Sequence, residues 1–245
     1  MIVEFYKYQG TGNDFIMIDD RNNVFDASDN RLISALCERR MGVGADGLIL
    51  LRNHDRLDFE MIYFNADGKV SSMCGNGGRC IIAFAEMLEI INTEATFMAI
   101  DGEHKGKIID SEISLLMRDV NKIQEVACGF VLDTGSPHYI EVVDNLFDLD
   151  IIKQAKRIRG LTPFKKEGVN VNFVLNGDEL QVRTYERGVE AETLSCGTGV
   201  VATAITMHYT NCIKENCVNV KTKGGILCVS FEEVNGCYQN IWLRG

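Results

Sequence analysis

The strongest constraint on this chain is a short pattern that occurs twice. Met73-Cys74-Gly75-Asn76-Gly77-Gly78-Arg79 runs into Cys80-Ile81-Ile82-Ala83-Phe84-Ala85. Ser195-Cys196-Gly197-Thr198-Gly199 runs into Val200-Val201-Ala202-Thr203-Ala204-Ile205-Thr206-Met207. Each is a thiol, then a Gly-x-Gly turn, then a helix-like apolar run. Each thiol therefore sits beside a helix N-terminus, where about half a positive elementary charge and several unpaired N–H donors collect. Such an end lowers the pKa of a nearby cysteine and attracts a carboxylate.

The segments leading to the two thiols also align, as strand, polar turn, about ten residues, then the thiol helix. From Asn65 to Cys74 is nine residues, and from Glu186 to Cys196 is ten. A twofold duplication follows, with 1–120 carrying Cys74, 121–245 carrying Cys196, and the active site expected at the interface. In the first half, strands are expected at 2–8, 15–18, 48–51 and 58–64, with helices at 31–39 and 74–88. In the second, strands are expected at 130–132, 139–143, 170–175 and 179–185, with helices near 149–158 and after Cys196. Several alternating segments across 217–243 complete an α+β chain, with Gly224-Gly225 and Asn235-Gly236 as turns.

Composition narrows the partners. The net charge is −10 and no run of like charges forms a basic patch, so neither nucleic acid nor a membrane surface is indicated. No stretch reaches the roughly 18–20 apolar residues of a membrane span. The first seven residues have no basic region followed by an apolar core, so no secretory leader is expected. Nine cysteines, an odd count, suit free thiols in a reducing cytoplasm. Their spacings fit no zinc ribbon or finger, and no metal site is expected.

Two helix-end thiols facing one anionic substrate suit proton transfer at carbon. The α-proton of an amino acid can be removed by a thiolate only if the developing charge is stabilised, which helix N–H groups aimed at the α-carboxylate would do. Inversion needs a second acid on the opposite face, and one thiolate with one thiol can exchange roles as the direction reverses. No cofactor is required. Taken alone, either segment is equally compatible with a core cysteine beside a tight turn; the repetition weighs against that. A disulfide between the two thiols stays open as the fate of the pair on oxidation.

Gly10-Thr11-Gly12-Asn13-Asp14-Phe15, Asn65-Ala66-Asp67-Gly68, Cys74-Gly75-Asn76-Gly77-Gly78-Arg79-Cys80, and Glu186-Arg187-Gly188 through Cys196-Gly197-Thr198-Gly199 together resemble the diaminopimelate epimerases, across essentially the whole chain and in order. The resemblance implies two pseudo-symmetric domains, each a mostly antiparallel sheet wrapped around a central helix. It also implies a homodimer and cofactor-independent interconversion of LL- and meso-2,6-diaminoheptanedioate, a small amino-acid substrate. By position, Cys74 and Cys196 would be the catalytic thiols. Gly75, Asn76, Gly197 and Thr198 would offer N–H groups to the reacting carboxylate. Asn13, Asn65, Asn170 and Arg187 would line the pocket, with Arg187 on the distal carboxylate. Glu186 would accept from a substrate ammonium and, with His138, set the thiol protonation states.

Three departures from the common family pattern stand out. Ser136 replaces an asparagine in Gly135-Ser136-Pro137-His138, Gly47 replaces a polar side chain, and the loop 186–193 is one residue longer. Other cofactor-independent racemases would keep the two thiols without the pocket for a second carboxylate. A thiol sensor or amino-acid binder would need one thiol or neither.

Overall fold

The computed structural model describes residues 2–245. The chain divides into two compact units, Met1–Leu115 and Leu116–Gly245. The N-terminal unit runs β1 (Tyr6–Gly10), β2 (Asn13–Asp19), α1 (Asn30–Cys37), β3 (Gly47–Arg52), β4 (Phe59–Asn65), β5 (Val70–Ser71), α2 (Gly75–Met87), β6 (Glu94–Ala99), β7 (Gly102–Ile109) and β8 (Glu112–Leu116). The C-terminal unit opens with β9 (Ile123–Val126), which pairs with β10 (Gly129–Asp133). It continues through β11 (Pro137–Val142), α3 (Ile151–Arg159), β12 (Asn170–Asn176), β13 (Leu180–Glu186), β14 (Ala191–Thr193), α4 (Gly197–Tyr209), β15 (Cys217–Thr222), β16 (Gly225–Val234) and β17 (Cys237–Arg244).

From β10 onward the second unit repeats the first. In each unit a hairpin, β1–β2 or β10–β11, leads through α1 or α3 to a parallel neighbour, β3 or β12. An antiparallel return, β4 or β13, pairs with the short β5 or β14. The thiol helix then crosses to β6 or β15, again parallel, and an antiparallel meander closes the unit. Parallel pairs need such crossovers, and these four helices supply them. The registers superimpose the repeats: Phe15 faces Gly47 as His138 faces Asn170, and Ile49 faces Tyr63 as Asn172 faces Thr184.

Each thiol helix is the core of its own unit. On α4, Gly197 and every residue from Gly199 to Met207 are buried, and the helix packs against β10–β13 and β15–β17. A helix apolar on all sides is stable only when surrounded in this way. In its middle turn the buried Thr203 hydroxyl is satisfied locally, Oγ1 donating to Gly199 O at 2.8 Å. On α2, residues 75–82, Phe84 and Ala85 are buried, with Tyr6 and Tyr8 packing on Phe84. Among the described residues no helix is long and apolar enough to cross a membrane.

Two expectations change. The first strand starts at Tyr6 rather than residue 2, and Ile2 is fully exposed. Tyr6 pairs with Met17, and two residues later β2 ends as Asp20 N–H turns to Leu51 O. The helix expected at 31–39 stops at Cys37, because the chain folds back and Gly42 and Gly44 donate to Glu38 O and Leu36 O. A Cβ on Gly42 would stand 2.1 Å from Ala35 O, so only glycine permits the reversal. That releases Arg39, whose fork reaches Asp14 at 2.7 Å and Asp46 at 2.6 Å.

The turn after Asn65 depends on a similar approach. Gly68 has φ +82°, and a Cβ there would lie 2.1 Å from Asn30 O at the start of α1. Gly68→Ala is expected to lower stability by about 2 kcal/mol or more. Gly102→Ala, also at positive φ but with open space around it, should lose less. Urea unfolding of the two variants checks the difference.

Candidate active site

Cys74 is the N-cap of α2, with an extended backbone (φ −107°, ψ 147°). Its Sγ accepts from Gly77 N–H at 3.2 Å, and Gly78 N–H bonds back to Cys74 O at 2.8 Å. Gly77 has no side chain because a Cβ there would press on Ile49 and on the sulfur itself. Asn13, first residue of β2, brings its Oδ1 to 3.9 Å from Cys74 Sγ. The orientation of that amide is fixed, since Asn13 Nδ2 donates to Asp46 at 2.8 Å and Asn76 Nδ2 donates to Asn13 Oδ1 at 3.4 Å. Asp46 is held in turn by Arg39. Burial alone would raise Asp14, but hydrogen bonds from Arg39 and Lys7 keep its carboxyl well below the usual range.

Arg79 was not among the expected site residues, yet it is 97% buried within this group (3% exposed). Its fork donates to Gly75 O at 3.2 Å, Asn76 Oδ1 at 3.2 Å and Thr11 Oγ1 at 3.5 Å. It thereby orients the Asn76 amide, and burial pulls its own pKa down. The sequence signal was its place five residues after the thiol; the matching position on α4 is Val201. Asn65 lies exposed at the end of β4. Gly47 cannot carry a side chain, because a Cβ would meet Phe64 O at 2.5 Å and Tyr63 at 2.6 Å.

In the C-terminal unit Cys196 caps α4, with Val200 N–H bonding to its carbonyl at 2.9 Å. Its Sγ lies 3.4 Å from Thr198 Oγ1. Thr198 Oγ1 also meets His138 Nε2 at 2.9 Å, and Thr198 O accepts from Thr134 Oγ1 at 2.9 Å. His138 is fully buried; burial, aided by the Arg187 charge, pushes it down to about 3. Asn170 ties two loops together: Nδ2 donates to Ser136 Oγ at 2.8 Å and Pro137 O at 3.1 Å, and Oδ1 accepts from Arg187 N–H at 2.8 Å. Arg187 reaches Ser136 Oγ at 3.4 Å, and among the described residues it forms no ion pair with a carboxylate. Glu186 closes β13, half-buried beside Arg187. The turn it begins spans residues 187–190 before Ala191, against 66–68 in the N-terminal unit.

The structure thus gathers Asn13, Cys74, Gly75 and Asn76 at one helix end, and His138, Asn170, Arg187, Cys196, Gly197 and Thr198 around the other. The open depression along α1, lined by Asn30, Arg31, Ser34 and Glu38, contains no thiol.

The model of the diaminopimelate epimerase family matches residues 5–116 and 130–240, one segment in each unit. A diaminopimelate epimerase from Flavobacterium psychrophilum is 48% identical over 246 residues, covering 99% of this chain and 96% of its own. The chain belongs to the diaminopimelate epimerase family. Solved structures share the fold at much lower identity. A phenazine biosynthesis protein from Bacillus anthracis has a TM-score of 0.76 at 12% identity, covering 99% of this chain and 95% of its own. A hydroxyproline epimerase from Agrobacterium vitis has a TM-score of 0.70 at 15% identity, covering 98% and 88%.

Neutral, buried His138 makes stability depend on pH in a definite direction. An unfolded histidine binds a proton below about 6.5, whereas the folded one refuses it until about 3. The unfolded state therefore binds more protons across that window, and stability falls as pH drops through it. Between pH 6 and 4.5 this contributes up to about 1.4 kcal/mol per pH unit. Denaturant unfolding should show that slope flattened in His138→Gln.

Proposed function

We propose that this protein interconverts the LL and meso forms of 2,6-diaminoheptanedioate without a cofactor. One thiol of the Cys74/Cys196 pair, as thiolate, takes the α-proton, and the other delivers a proton to the opposite face. The observation that carries the reading is the recurrence of a helix-capping thiol at equivalent places in two repeats. Each thiol precedes a buried thirteen-residue helix.

A thiolate is a weak base toward a carbon acid, so the enolate-like charge must be met as it forms. The N–H groups of Gly75, Asn76, Gly197 and Thr198 are assigned to the α-carboxylate, where the first turns of α2 and α4 carry their positive ends. Asn13 lies beside Cys74 and orients the substrate there, with Asn65 at the pocket rim. Arg187, which Asn170 holds by its backbone N–H, is suited to a bidentate contact with the distal carboxylate. Glu186 is assigned to a substrate ammonium and, with His138, to setting the protonation of the thiols. The mechanism requires both thiols to reach one α-carbon. A cytoplasmic location and a homodimer belong to the same proposal, supported for the first by nine free cysteines.

Cys74→Ala and Cys196→Ala are each expected to lower the rate of epimerisation by at least about 10²–10⁴. Proton NMR of the purified variants with LL-diaminoheptanedioate, under a reducing agent, follows the reaction. A variant lacking either thiol that still interconverts the isomers at the wild-type rate would falsify the two-thiol reading. Arg187→Met should raise KM about tenfold or more, with a smaller change in kcat. Parallel assays with proline and hydroxyproline test the substrate class; turnover of those alone would replace the substrate and leave the chemistry.

A further inference from the structure

The two thiol sites are built on the same scaffold but are not wired alike. Beneath the first turn of α2, the repeat places Phe15, Ile49 and Tyr63. Beneath the first turn of α4, the same three positions hold His138, Asn172 and Thr184. Where one site has the apolar Phe15 and Ile49, the other thus has two members of a polar chain, His138 and Asn172.

Every direction along that chain is set by its buried end. Asn172 is fully buried, and its Oδ1 accepts from Thr184 Oγ1 at 2.9 Å. Its Nδ2 faces the Tyr139 carbonyl at 3.1 Å and His138 Nδ1 at 3.0 Å. An amide nitrogen only donates, so Nδ1 must accept, and the proton of the neutral imidazole sits on Nε2. Nε2–H then donates to Thr198 Oγ1 at 2.9 Å. With that lone pair occupied, the threonine's own proton is available to Cys196 Sγ at 3.4 Å. Room for the chain comes from Gly199, where a Cβ would lie 2.5 Å from Asn172 Oδ1 and 3.4 Å from His138 Cε1.

We propose that Asn172 is a positioning residue that locks His138 in the Nε2–H form, so that the Thr198 hydroxyl presents its proton to the Cys196 thiolate. Were Nδ1 protonated instead, Nε2 would accept from Thr198 and turn that proton away from the sulfur. The proposal deepens the reading of Cys196 as a proton-transferring thiol and rests on it. Cys74 faces the opposite polarity, since Asn13 offers it a carbonyl oxygen.

The charged groups on segments around this end of α4 are Asp133 before the β10–β11 turn, Glu186 and Arg187 at the β13–β14 turn, and Lys223, paired with Glu192 at 3.5 Å. Around Cys74, the N-terminal unit carries Arg79 on α2, Asp14 and Asp46 held by Arg39 and Lys7, and Asp101 beside Met73 with His104. The substitutions below leave all of them in place.

The test is the pH dependence of alkylation by iodoacetamide, read separately for Cys196 and Cys74 by peptide mass spectrometry. In Thr198→Val the half-maximal pH for Cys196 should rise by about one unit, while Thr198→Ser keeps the wild-type value and Cys74 is unmoved in both. Asn172→Leu should reproduce the rise with Thr198 present, and ¹⁵N NMR should show His138 shifting from the Nε2–H to the Nδ1–H tautomer. An unchanged Cys196 profile in folded Thr198→Val, or an Nδ1–H tautomer in the wild-type protein, overturns the proposal. Thr198→Val is nearly isosteric, so the outcome does not depend on whether Asn172→Leu folds. Neither readout uses substrate, so a failure of the epimerase reading and a failure of the relay are distinguishable.

Discussion

A helix that begins inside a protein leaves its first N–H groups pointing at whatever precedes it, and they need a polar or anionic partner. This fold creates that situation twice, because α2 and α4 each form the core of a sheet and start at a buried glycine. A sulfur at the cap position suits the role. It is polarizable and tolerates burial when protonated, and its anion is stabilised by the helix end. The same N–H groups suit a carboxylate, so one local geometry suits both a thiolate and an anionic ligand group. The glycines that follow each thiol keep the first turn open to neighbours beneath it, Ile49 in one unit and Asn172 in the other.

Duplication supplies two such ends, and chemistry at a stereocentre needs two that differ. The difference is made away from the sulfurs, at positions the repeats share. Arg79 and Val201 occupy the same turn of their helices, Phe15 and His138 the same strand position, and Ile49 and Asn172 another. One thiol is consequently near a buried guanidinium and an amide oxygen; the other stands at the end of a chain of neutral donors. The buried imidazole gains its influence by staying uncharged. Protonating it would cost the desolvation that pulls it down to about 3 and would remove the acceptor that Asn172 needs.

The thiol helices were legible in the sequence because cysteine, paired glycines and a continuous apolar run form a contiguous signal. The duplication was legible for the same reason. The end of α1 was not, since Arg39 and Glu38 are good helix formers and only the close approach of Gly42 to Ala35 O reverses the chain there. Residues 2–5 alternate like a strand, but the course of the chain beyond Asp19 decided their conformation. The relay was the least visible part. His138, Asn172 and Thr198 lie on three elements separated by up to 60 positions, and asparagine within a strand carries no spacing signal. Aligning the repeats would have exposed it, as polar residues in one copy against Phe15 and Ile49 in the other.

The central claim is that two different groups handle the proton on the two faces of one carbon. Running the reaction in D₂O from each pure isomer, and measuring deuterium at the α-carbon at low conversion, tests this most directly. Two thiols predict that the product carries deuterium from the start while recovered substrate stays protiated, in both directions. Product that retains the substrate's own proton at low conversion would mean a single group working on both faces, and would contradict the account.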